Sequence, residues 1–310
     1  MTKAFVIGGL LKVDLGNVNA GWTEGIVQVL KKVELPDGST RPYVSGQALR
    51  RYLRDTLRTL PGVAEEISPL VEQKDPKAPV TTEGDPGRYV DDDLFGFMRA
   101  VKGGTKRRES PLRVAPAYGL FPYRGDRDLG TRSAVEARGE AEAGGSIFET
   151  EITNNVFRTT LLLELDRVGR WAKFESVKDE TGELPLNERR RRAVLLLESL
   201  KYLWGGGRRT RLLVDLTPRF VAYARLGRKI PLFLDCLEVS YEADKYRLGT
   251  APLRQVLEDY GASVERLLLG VREGFLTNAD DLAGVREGVR VASIAKTLDA
   301  AAEDLRQATF

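Results

Sequence analysis

Guanidinium groups dominate the chemistry this chain has to offer. In "SGQALRRYLRDTLRTL", residues 45–60, Gln47, Arg50, Arg51, Arg54 and Arg58 recur at helical spacing and share an arc of about 100°. Leu49, Tyr52, Leu53, Thr56, Leu57 and Leu60 occupy the opposite side. Ser45 is a favoured cap residue, so the spacing predicts a helix that opens at Gly46. Free amides at a helix start attract an anion, and a guanidinium stripe running on from them suits a chain of phosphates. The competing reading is a solvated face with an ordinary cap.

Further basic blocks carry the same ambiguity. "KRRES" supplies Lys106, Arg107, Arg108 and Ser110, with Arg113 just beyond; it reads as a phosphate contact or as a solubilising turn. "GGGRR", residues 205–209, offers Gly206 and Gly207 for close backbone approach and Arg208 and Arg209 for charge, although three glycines after a helix also make a C-cap. It lacks the Gly-Lys-Ser/Thr ending of a P-loop. Asn17, Asn19 and Gln28 suit ribose or phosphate, or plain turn formation. Residues 102–132, which add Arg124, Arg127 and Arg132, hold eight basic against three acidic residues, a net +5, and residues 186–211 hold eight against two, a net +6. Within a chain of net charge +3, such segregation predicts a directed surface for a polyanion. "NERRRRA" at 187–193 sets arginines all round a helix, which reads as a solvated face or a contact with a neighbouring subunit.

Several chemistries are excluded by what is missing. The chain has no histidine, which removes the commonest general base and transition-metal ligand. Its single cysteine, Cys236, sits in the apolar run "IPLFLDCLEVSY", so intrachain disulfides and Cys/His zinc sites cannot form. Asp91, Asp92 and Asp93 are the one tight carboxylate cluster; a metal-dependent nuclease would begin there, while their position before "LFGFM" suits an N-cap and first helical turn. No run approaches the roughly 18 apolar residues of a membrane span, and the expectation is a cytoplasmic protein without a membrane partner.

The elements that must position these groups follow from pattern. Ala4 to Leu15 reads as a strand, "GNVNAGWTEG" as a loop, and "PDGS" as a turn before the arginine-striped helix. Residues 61–110 turn rich in Pro, Gly and charge, as an insertion with a short helix at "DDDLFGFMRA". A strand at 111–121 precedes a Gly-, Arg- and Glu-rich loop with little to bury. "IFETEI" and "VFRTTLLLELDRVG" read as a strand pair turning at Asn154 and Asn155, followed by a helix through "LPLNERRRRAVLLLESLKYLW" and strands at "TRLLVDLTPRFVAYARL" and "PLFLDCLEVSYEA". The final 60 residues read as mainly helical. Without insertions the order is βαββαβ, an α+β chain on the ferredoxin-like (RRM-like) plan.

The residues "NVNAGWTEGIVQVLKKVELPDGSTRPYVSGQALRRYLRDTL", "DDDLFGFM", "RRESPLRVAPA", "IFETEI" and "GGGRRTR", in that order, resemble the DevR-like branch of the CRISPR-associated backbone subunits of type I Cascade complexes, within the RAMP superfamily. The resemblance runs from near the N-terminus to about residue 225. It implies a ferredoxin-like palm (1–60, 111–120 and 148–249) with a helical fingers insertion (61–110), an extended thumb loop (121–147) and a C-terminal helical region (250–310). It further implies a non-catalytic subunit, with no cofactor or metal, that stacks in copies along CRISPR RNA beside the target DNA strand and other Cascade subunits. The phosphate contacts would come from Asn17, Asn19, Gln28, Ser45 to Gln47, Arg50, Arg51, Arg54, the "KRRES" and "GGGRR" residues, Arg113 and the thumb arginines, with Leu129, Val135 or Ile147 wedging between bases. The alternative within the superfamily is a metal-dependent endoribonuclease, for which Glu136, Glu140 and Glu142 in the thumb are candidates. A structural or regulatory protein without nucleic acid is the third class.

Overall fold

The computed structural model describes residues 2–72, 80–102, 104–132 and 146–310. The strand β1, Ala4–Gly16, lies in the middle of a nine-stranded sheet and is buried on both faces. Alternation explains this: Phe5, Ile7, Leu11 and Val13 face one core, and Ala4, Val6 and Leu10 face a second. Antiparallel neighbours flank β1, with Ile7 opposite Leu161 of the strand Thr153–Glu164 on one side and opposite Tyr223 of Pro218–Leu226 on the other. Beyond Thr153–Glu164 come Leu112–Val114 and Ala117–Gly119, then Thr40–Val44 and Lys32–Glu34; beyond Pro218–Leu226 come Val264–Val271 and Arg290–Ala292.

The helices α1 (Gly46–Thr59) and α3 (Leu186–Leu200), with Ile294–Gln307, bury their apolar sides in the first core. Residues from the 230–285 stretch, among them Phe233, Leu237, Leu253 and Phe275, close the other sheet face. The C-terminal part is therefore not only helical, because two of its strands extend the main sheet. The run "PLFLDC" is a turn rather than a strand: Phe233 and Cys236 are buried while Leu234 is 49% exposed, and the strand begins at Val239.

A separate four-stranded sheet joins Arg127–Arg132, Ser146–Glu151, Val27–Leu30 and Ala20–Glu24. No turn forms at Asn154 and Asn155. The chain instead passes from this sheet into the main one around Ile152, while the Asn155 amide clasps the Phe121 backbone through both its atoms, at 3.1 and 2.8 Å. Residues 133–145, with Val135, Glu136, Glu140 and Glu142, lie outside the described residues, as does the side chain of Arg132.

The 61–110 insertion contains one short helix among its described residues, α2 (Val90–Phe95), plus a single 3-10 turn; its other described residues form turns, irregular segments and two short strand pairs, Leu70–Val71 with Thr81–Thr82 and Phe97–Val101 with Gly104–Arg108. Gly96 adopts φ 68° against the Arg108 backbone, which ends the helix before "FMRA". Asp91, Asp92 and Asp93 do fall in the first turn of α2, but they do more than favour its dipole. Asp91 accepts from the Ser68 amide at 2.8 Å, Asp92 from the amides of Gly84 and Asp85, and Asp93 from Gly169, Arg108 and Arg192. Burial pushes the Asp92 carboxyl up, against the pull of its hydrogen bonds.

The same network removes several arginines from the surface. Arg108 is fully buried between Asp93 and the Arg167 and Arg170 carbonyls. Arg189 and Arg192 of "NERRRRA" are likewise buried, on the Val168 carbonyl and on Asp93, Pro86 and Glu188, so this helix does not present arginines all round to solvent.

Candidate nucleic-acid interface

Ser45 caps α1 as its residue type dictates, its hydroxyl accepting from the Ala48 amide at 3.3 Å, and its own amide donates to Asn19 Oδ1 at 2.8 Å. Gly46 is fixed by packing, since a Cβ there would lie 2.5 Å from the Val114 carbonyl oxygen. Gln47 and Arg51 are exposed on the first turns.

Two loops and the end of the strand Ser146–Glu151 meet near this helix start. Asn17 is fully buried, its side-chain amide donating to the Glu151 carbonyl at 2.9 Å, while its carbonyl accepts from the Gly207 amide at 2.7 Å. Side chains at 206 or 207 would collide with Asn17, and Gly206 holds φ 92°. Tyr52 reaches across from α1 to the Val18 carbonyl at 3.2 Å, and burial pushes its phenol up. Asn17 and Asn19 are thus struts that align the 205–211 loop, α1 and the hairpin strand, rather than free groups. Gln28 lies on the four-stranded sheet opposite Thr150, half-buried.

On this frame the guanidinia stack on aromatic rings. Arg209 lies 5.4 Å from the Tyr52 ring and 5.2 Å from Trp204. Arg208, at φ 54°, and Arg211 cover Phe148 of the hairpin at 5.7 and 4.7 Å. Asp55 links Arg51, at 2.8 Å, to Arg209, at 3.4 Å. Phe148 and Gly130 face this loop, whereas Leu129 and Ile147, on the alternate face by strand parity, are exposed. Arg211, Phe148 and Trp204 are the members the sequence reading missed; Arg211 stood within "GGGRRTR", but the two aromatics carried no spacing signal.

Other expected contacts lie elsewhere. Arg50 donates to the Phe95 carbonyl and lines a cavity of about 380 Å³ with Arg113. Burial, then the nearby Arg113 charge, pushes its guanidinium down. Arg113 is held by Glu109 at 2.6 Å and Glu164 at 2.8 Å, and its hydrogen bond keeps Glu109 below the ordinary carboxylate range. Arg54 turns inward to Asp91 and is not on the open face. Lys106 pairs with Asp179, Arg107 is exposed, and the Ser110 hydroxyl bonds the Leu94 and Leu112 carbonyls. Arg127 pairs with Glu149 at 2.9 Å, Arg124 lies at the base of the hairpin, and Arg58 is exposed at the far end of α1.

No helix among the described residues is long and apolar enough to cross a membrane. The sequence matches a family model described as CRISPR-associated negative auto-regulator DevR/Csa2 over residues 13–213. The fold is similar to a chain of a "CRISPR RNA-guided surveillance complex, pre-nicking", at 17% identity and a TM-score of 0.60, covering 97% of this chain and 100% of that one. It is also similar to a chain of a "CRISPR RNA-guided surveillance complex", at 18% identity and a TM-score of 0.57, covering 97% and 99%. No curated protein sequence matches.

Proposed function

The chain belongs to the DevR/Csa2 CRISPR-associated family, and from that premise we propose that it is a non-catalytic backbone subunit that stacks in copies along CRISPR RNA in a DNA-targeting surveillance complex. The observation that carries the reading is the convergence of α1, the 205–211 loop and the paired strands Arg127–Arg132 and Ser146–Glu151, which gathers Arg51, Arg208, Arg209 and Arg211 beside Phe148 and Trp204. A guide of arbitrary sequence has to be held by its phosphates and ribose while its base edges stay free to pair. Guanidinia flanked by aromatic faces suit that task, because a guanidinium can pair with phosphate and a ring can stack on the face of any base, both independent of sequence.

The strand order Pro218–Leu226, β1, Thr153–Glu164 and then Leu112–Val114 with Ala117–Gly119, with α1 and α3 as the two crossovers, supports a ferredoxin-like palm. The pair Arg127–Arg132 and Ser146–Glu151 is then the thumb and the insertion the fingers. Leu129 and Ile147 are the apolar wedge, exposed on the thumb face turned away from Arg208 and Arg211. The target strand, further copies and other Cascade subunits are the expected partners, in the cytoplasm. The endoribonuclease alternative loses its first candidates, since Asp91, Asp92 and Asp93 are each occupied by backbone amides, and two of them also by buried or half-buried guanidinia.

Electron microscopy of the chain with long single-stranded RNA tests the reading. Evenly spaced assemblies are expected from the parent, and loss of regular spacing, with RNA still bound, from Leu129→Ser/Ile147→Ser. Cut RNA, or parent assemblies without RNA, would refute it.

A further inference from the structure

A second site lies away from this interface, between the base of the hairpin and the strand pair Val239–Glu242 and Lys245–Leu248. It is a cavity of about 520 Å³, within the size range of ligand sites, roughly 300–1,000 Å³. Tyr241, Asp244 and Tyr246 in its wall fall beyond the residues matched by the family model. Phe121, Tyr241 and Tyr246 form a triangle of rings with centroids 4.9 to 6.4 Å apart, backed by the buried Phe275 at 5.4 Å from Tyr246. Tyr241 remains 50% exposed, which leaves part of this ring cluster open to solvent.

The wall carries more acidic than basic side chains. Asp14, Asp126 and Asp244 outnumber Lys12 and Arg124, and Lys12 is already paired with Asp14 at 2.7 Å. The Lys12 ammonium also sits 5.9 Å from the Tyr246 ring, so the site already holds one cation against an aromatic ring. The turn that presents Asp244 is strained: Ala243 and Asp244 both hold left-handed backbone, at φ 48° and 61°, where Asn-Gly would be relaxed. This turn sets Asp244 Oδ1 3.3 Å from the Tyr241 hydroxyl.

We infer that this cavity binds an arginine side chain presented by a protein partner, the guanidinium stacking on Tyr241 and Tyr246 and donating to the Asp244 and Asp126 carboxylates. A planar cation can use a ring face and a carboxylate together, which an ammonium does less well. The inference is separable from the RNA reading because Tyr241, Asp244 and Tyr246 take no part in that interface, although Arg124, an expected phosphate contact, also lines the cavity.

The test is fluorescence anisotropy with a labelled Gly-Arg repeat peptide, its lysine counterpart and its neutral citrulline counterpart, against the full chain. Tight preference for the arginine peptide is expected, with binding weakened about fivefold or more by Tyr241→Leu and by Asp244→Asn. Melting and RNA affinity should be unchanged in both variants, which separates this result from failure of the RNA reading. Equal binding of the citrulline peptide, unchanged affinity in folded variants, or displacement of the peptide by single-stranded RNA that itself loses affinity in Tyr241→Leu would each overturn the assignment.

Discussion

Arg51→Ala and Arg54→Ala remove the same group from neighbouring turns of α1, yet they should fail in different assays. Arg54 is 19% exposed and pairs with Asp91, which is 1% exposed. Breaking a buried ion pair costs about 3–5 kcal/mol, and partial exposure of Arg54 brings this to about 2–4 kcal/mol. For 310 residues, an unfolding entropy of about 2.1 cal/mol/K per residue gives about 0.65 kcal/mol/K, so Arg54→Ala should melt about 3–6 °C below the parent. Arg51 is 60% exposed and its pair with Asp55 is a surface contact, worth about 0.3–0.5 kcal/mol, or less than about 1 °C. In RNA binding the order reverses. Loss of one phosphate contact lowers the slope of log affinity against log salt by about 0.7, expected for Arg51→Ala and not for Arg54→Ala. Thermal melts and filter binding across a salt series measure both. An Arg54→Ala protein that melts with the parent, or an Arg51→Ala protein with an unchanged salt slope, would refute the division of this stripe into one structural and one ligand-facing arginine.

Asp93→Ala should prevent folding, since it strands Arg108 and Arg192 in the interior, and its soluble yield is the readout. Asp92 is different. Burial raises its pKa from the ordinary 3.8, so its contribution is full below that value and falls as pH rises through the folded one. Asp92→Asn, which mimics the neutral acid, should flatten that part of the pH–stability profile. Gly207→Ala drives a methyl to 2.7 Å from Asn17 Oδ1 and should weaken RNA binding by displacing Arg208 and Arg209, measurable by filter binding. Burial pushes the Cys236 thiol up to about 12, so a thiol reagent at pH 8 should label it only in denaturant.

The helix α1 was legible because everything that specifies it is local: Ser45 for the cap, a 3.6-residue apolar repeat, and arginines on the other face. The main strands were legible from their local apolar runs, whereas "PLFLDC" reads as a strand only because an apolar run alone does not separate a short strand from a turn, and here it is a turn with Leu234 exposed. Counting charge by blocks misled, because the neutralising groups come from elsewhere in the chain. Asp93 meets Arg108 at 15 positions' distance and Arg192 at 99, while Glu164 and Asp179 reach back to Arg113 and Lys106. Phe148 and Trp204 could not be picked out, since a single aromatic near a strand reads as core until the fold sets a guanidinium over it.

The most direct test of the RNA-binding account is the salt dependence of binding to a set of scrambled single-stranded RNAs, compared between the parent and Arg208→Ala/Arg209→Ala/Arg211→Ala. The account predicts near-equal parent affinity for every scramble, a triple variant whose salt slope is lower by about 2, and little change in melting. A strong preference for one sequence, or an unchanged slope in the folded triple variant, would contradict it.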